Sequence, residues 1–96
     1  MRKYEIMYIL KADLDEASRK EVMDKLAKLI TDNGGSVEKT DESMGLRELA
    51  YPIKEQSKGY YVVLKVSMDN VAIYEFNRKV RHNPNVLRHL IVVEQK

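Results

Sequence analysis

Tyr4, Ile6, Tyr8 and Leu10 alternate with Glu5, Met7, Ile9 and Lys11, and the same period returns at Tyr60, Val62, Leu64, Val66 and Met68 against Tyr61, Val63, Lys65 and Ser67. Successive side chains of a strand point to opposite faces, so a sustained period of two demands strands with one fixed inner face. Each alternating stretch is followed by apolar residues at helical spacing. After the first come Val22, Leu26, Leu29 and Ile30; after the second come Ile73, Phe76 and Val80, with Ala72 flanking. Each helical stretch is followed in turn by a further extended segment, residues 36–53 and 86–94. The chain is therefore two strand–helix–strand units in succession.

The punctuation agrees with this division. Asp13 is expected to begin the first helix, with Glu16 three residues on completing a capping box. Glu16–Lys20, Glu21–Lys25 and Asp24–Lys28 stand at i,i+4 and can pair on its exposed side. Asn33-Gly34-Gly35 stops it, because glycine accepts the left-handed conformation at a helix end. Gly45, inside the second extended segment, predicts a bulge or bend, and Pro52 fits near a strand end. Lys54 to Lys58 reads as a polar turn. Asp69 or Asn70 caps the second helix, and Asn83-Pro84 ends it, since a residue before proline is pushed out of helical geometry. The resulting order β-α-β-β-α-β is the split βαβ, or ferredoxin-like, arrangement of the α+β class. It predicts a four-stranded antiparallel sheet, order 4-1-3-2, with both helices on one face. Residues 1–96 are read as a single domain, because two cores of half this size would be too small to be stable.

Composition excludes several function classes. There is no cysteine, which removes disulfides, thiolate metal sites and iron–sulfur clusters. No apolar run approaches the roughly 20 residues that span a bilayer, and Lys3, Glu5 and Lys11 interrupt any signal-peptide core. A cytoplasmic protein without membrane contact is expected. The net charge of +2 hides an asymmetry: residues 13–48 hold ten acids and six bases, whereas residues 76–93 hold no acid at all. Arg78, Lys79, Arg81 and Arg88, with His82 and His89, fall in that acid-free window, and Arg2 and Lys3 add to it from the N-terminus. A basic end on a near-neutral chain can bind an anionic partner through one face; the plainer alternative is a solvated surface.

Two helices cannot cover both faces of a sheet. With Ile6, Tyr8, Leu10, Val62, Leu64 and Val66 turned inward, the uncovered face carries Met7, Ile9, Tyr61 and Val63. Apolar residues side by side on an exposed face mark a docking surface, although single ones are ordinary. Modules of this chain order stack RNA bases on aromatics of the central strands. Here only Tyr61 stands in such a place, so base stacking on the sheet has little support. Tyr4, Tyr8 and Tyr60 belong to the core or its rim, their hydroxyls reaching polar partners. Catalysis has no basis: no nucleophile elbow, phosphate loop or cysteine is present. A two-histidine metal site at His82 and His89 is conceivable across the turn at Pro84, but no carboxylate lies near in sequence, and titration near neutrality is the simpler reading. No metal, cofactor or small-molecule substrate is implied.

Met44-Gly45-Leu46-Arg47-Glu48-Leu49-Ala50-Tyr51-Pro52-Ile53, followed by Gly59-Tyr60-Tyr61, resembles a signature of the bacterial small-subunit ribosomal protein six family. The opening Met1-Arg2-Lys3-Tyr4-Glu5 and the closing Val86-Leu87-Arg88-His89-Leu90-Ile91-Val92-Val93 resemble it too. The resemblance implies a structural ribosomal protein that binds the central-domain (platform) RNA of the small subunit as a heterodimer with small-subunit ribosomal protein eighteen. It implies RNA contacts at Arg2, Lys3, Arg47, Arg81 and Arg88; the acid-free window adds Arg78 and His82. Met7, Ile9, Tyr51, Tyr61 and Val63 are the candidates for the partner protein. Leu46-Arg47-Glu48 has one base beside an acid where the family carries two or three bases. A stand-alone regulatory or ligand-binding domain, dimeric through its open sheet, is the competing reading; it lacks a glycine-rich ligand loop.

Overall fold

The computed structural model describes residues 1–94. Its elements are β1 (Arg2–Lys11), α1 (Glu16–Asp32), β2 (Ser36–Ile53), β3 (Gln56–Met68), α2 (Asn70–Arg81) and β4 (Val86–Val93). The sheet order is β2-β3-β1-β4, with β1–β3, β1–β4 and β2–β3 all antiparallel. This is the expected ferredoxin-like arrangement, read from the opposite edge.

The inner face follows the period of two. Tyr4, Ile6, Tyr8 and Leu10 of β1 lie opposite Val66, Leu64, Val62 and Tyr60 of β3. All but Tyr60, which packs at the margin, form one buried core with Val22, Leu26 and Ile30 of α1 and Ala72, Phe76 and Val80 of α2. Burying such a side chain contributes about 1.5–3 kcal/mol each, which makes this layer the main source of stability. Leu29 and Ile73, expected in the core, pack against it from its margin, and Ala72 is wholly buried instead.

Three local expectations change. Asp15, not Asp13, caps α1: its Oδ1 accepts from the Ser18 amide at 2.7 Å, and this bond holds its carboxyl below the usual range. Glu16 is then the first helical residue, two residues too early to close a capping box. Of the three i,i+4 pairs only Glu21–Lys25 forms, at 3.5 Å. The polar turn contracts to Lys54 and Glu55, both at positive φ, because Gln56 already pairs with Ile53. Two residues of that hand match the twist of a hairpin. Asp69 is the N-cap of α2 but makes no side-chain capping bond.

The β2–β3 hairpin is an arm that bends over the outer face. Its register slips between Asp41 and Gly45, where Gly45 takes a φ of +59°, and again between Glu48 and Ile53. These bulges add twist. Tyr51 and Lys54, at the tip, reach β4 at the opposite edge: Arg88 Nη1 donates to Tyr51 Oη at 2.6 Å and Lys54 Nζ donates to the Val86 carbonyl at 3.3 Å. The crossing requires a residue without a side chain at Gly59, where a Cβ would overlap Ile9 Cγ2 and stand 3.3 Å from Leu49 Cδ2.

Candidate functional site

Opposed residues of an antiparallel pair share a face, so register assigns every side chain of the outer surface. Met7 faces Val63 and Leu90; Ile9 faces Tyr61 and Arg88; Glu5 faces Val92. The outer face thus carries Met7, Ile9, Tyr61 and Val63 as expected, and adds Leu90 and Val92, both half exposed. Met7, Ile9, Tyr61, Arg88 and Leu90 line a groove of about 320 Å3. Ile9 is only 7% exposed, so it forms the floor of this groove rather than a projecting anchor. Tyr51, from the arm, joins the rim through its bond to Arg88.

The basic residues do not gather into one patch. Arg78, Arg81 and His82 stand together at the end of α2 and line a shared surface groove. Arg78, Lys79 and Arg81 occupy the last turn, where cations complement the helix dipole. Arg88 lies across β4 from them, on the outer face. Arg2 and Lys3 open β1, at the far end of the sheet; Ile9 lies six residue steps beyond Lys3, about 20 Å of strand. Lys3 is turned to Glu38 at 3.8 Å. Arg47 is on the opposite edge strand, its Nε donating to the Met44 carbonyl at 3.0 Å. Four basic sites therefore surround the apolar groove at different distances.

The histidines differ from the sequence expectation. His89 Nε2 lies 2.7 Å from Asn77 Oδ1, and its ring meets Phe76 edge-on. Burial, with Arg81 adding to it, holds its pKa below the ordinary value. Among the described residues no group of three or more histidine, aspartate or glutamate side chains is placed to hold a metal. Tyr60 finds its polar partner in Glu42 at 2.9 Å, but the Tyr8 hydroxyl, buried, finds none among the described residues. Sequence reasoning passed over Tyr74 and Asn77, which share the α2 groove with Arg78 and Arg81; their signal was the i, i+3, i+4, i+7 spacing of 74, 77, 78 and 81.

No helix among the described residues is long and apolar enough to cross a membrane. The sequence profile described as Ribosomal protein S6 matches residues 3–93. Small ribosomal subunit protein bS6 of Halalkalibacterium halodurans is 47% identical over 96 residues, all of both chains. Its counterpart in Shouchella clausii is 44% identical over the same span. The crystal structure of 30S ribosomal protein S6 from Thermotoga maritima superimposes with a TM-score of 0.89 at 28% identity, covering 97% of this chain and 87% of that one. These relatives are ribosomal proteins rather than enzymes. With the family profile matched over residues 3–93 and relatives matched over its whole length, this chain belongs to the Ribosomal protein S6 family of the small ribosomal subunit.

Proposed function

We propose that the chain binds central-domain RNA of the small subunit together with small-subunit ribosomal protein eighteen, which it meets as a heterodimer. The observation that carries this reading is the Arg88–Tyr51 hydrogen bond of 2.6 Å. It joins a candidate RNA contact to a candidate protein contact at the rim of the apolar groove. A partner seated against Met7, Tyr61 and Val63, with Ile9 beneath, would lie beside Arg88, with the α2 basic cluster on the other side of β4. RNA bound there touches both proteins. Neither contact need be tight alone, because each partner presents the other's RNA site at high effective concentration. Arg2, Lys3, Arg47, Arg78, Arg81, His82 and Arg88 supply the phosphate contacts, and affinity from such contacts falls with salt.

The test is binding of the chain to a central-domain RNA fragment at several salt concentrations, with and without the partner protein. Weak binding alone, strengthened by the partner and steeply salt-dependent, is expected. Alanine at Arg2, Arg81 or Arg88 should each lower the salt slope by about one. Tight, salt-insensitive binding without the partner, or none with it, would refute the reading.

A further inference from the structure

We infer that the outward stripe of α2, formed by Tyr74, Asn77, Arg78 and Arg81, seats unpaired RNA bases, with Tyr74 as the stacking platform. The inference rests on the RNA-binding reading above and adds a recognition element to it. Residues at i, i+3, i+4 and i+7 share one helix face. Here that face is turned away from Ala72, Phe76 and Val80, which are buried. The four residues line one groove of about 270 Å3 together with His82.

Tyr74 is 67% exposed. Among the described residues its hydroxyl makes no hydrogen bond and its ring meets no other ring or cation. Tyr60 is the contrast: Arg19 lies 4.1 Å over its ring and Glu42 takes its hydroxyl. A bare aromatic face on a helix whose other side is already packed has no structural task. Its neighbours decide what it fits. Arg81 makes no ion pair among the described residues, and Arg78 is held by Glu75 at 2.7 Å. From residue 76 to residue 93 no acid follows. Guanidiniums beside an aromatic face suit a base with its flanking phosphates; an apolar peptide would want apolar neighbours. Bases offer their faces only where they are unpaired, in loops, bulges and junctions. Asn77, bonded to His89 at 2.7 Å, ties the stripe to the inner side of β4, across the strand from Arg88.

The experiment measures binding of a fluorescent central-domain RNA fragment, in the presence of the partner protein, at three salt concentrations. The proteins are the wild type, Y74A, Y74L, Y74F and R81A, each first checked for an unchanged melting temperature. Loss of a stacked base should weaken Y74A and Y74L about tenfold or more. Y74F, which keeps the ring, should bind as the wild type does. The Tyr74 variants should keep the wild-type salt slope, whereas R81A should flatten it by about one. If the wild type binds but Y74A and Y74L bind equally well, or lose affinity only for the partner protein, the stacking role is overturned while RNA binding stands. If the wild type binds no RNA, the parent reading fails and the platform with it.

Discussion

Tyr8 carries a hydroxyl that the fold leaves alone. The side chain is 0% exposed, at the centre of the core, and among the described residues its Oη has no hydrogen-bond partner. A buried hydroxyl without a partner costs about 1–3 kcal/mol. Phenylalanine keeps the ring and removes that cost. The void it leaves, about 10 Å3, returns only about 0.2 kcal/mol at the usual price per unit of cavity volume. Tyr8→Phe should therefore stabilise the protein by about 1 kcal/mol or more, raising the melting midpoint by about 4–8 °C in a domain of this size. Thermal and urea unfolding at pH 7 would measure it, with an unchanged urea slope indicating an unaltered unfolded state. A second readout lies at high pH. Burial, aided by the carboxylates of Glu42 and Asp24, pushes the Tyr8 phenol well above its ordinary value. A folded pKa raised above the unfolded one contributes stability that is fully present below about pH 10 and is lost as pH rises towards the folded value. The advantage of the phenylalanine variant should widen above pH 10. An unchanged or lowered midpoint at pH 7 would refute the reasoning, since it would mean that Oη is satisfied.

Three further outcomes are expected. Gly59→Ala should destabilise by about 1–3 kcal/mol, because the new Cβ overlaps Ile9 Cγ2, a branched carbon that cannot swing aside; in chemical denaturation the loss should shrink when Ile9→Ala is added, and strict additivity would sink the steric account. Glu55→Gly should stabilise by about 1 kcal/mol, as glycine accepts the φ of +66° that glutamate holds under strain; a lower melting midpoint would contradict it. His89 has a folded pKa below its unfolded one, so the unfolded chain binds the extra proton first and stability should fall as pH drops through about 6.5 towards the folded value. Urea midpoints between pH 7.5 and 5 should show this fall in the wild type and less of it in His89→Gln; parallel curves would remove the assignment.

The strands and helices were legible because their signals are local. Period two at Tyr4 to Lys11 and helical spacing at Val22 to Ile30 each need only a few neighbouring residues, and the burial of Ile6, Tyr8, Leu10, Val22, Leu26 and Ile30 follows from them. The cap was misplaced by two residues because Asp13 and Asp15 offer the same chemistry, and only backbone geometry decides which oxygen meets the Ser18 amide. The polar run from Lys54 to Lys58 reads as one long turn, since propensity does not reveal that cross-strand pairing extends to Ile53 and Gln56. Tyr74 stands outside the packed spacing of α2, and the period that marks a core carries no sign of it.

By itself the sequence determined the class of fold, the inner faces of β1 and β3 and the acid-free end, all of which depend on order along the chain. Tertiary structure decided where these meet. Arg88 and Tyr51 are 37 residues apart, on strands at opposite edges, yet they bond because two bulges turn the hairpin arm over the sheet. That same turn sinks Ile9 beneath a groove and leaves Leu90 and Val92 in the open. Which residues of one face are covered depends on the path of another segment, and a local period carries no information about that path.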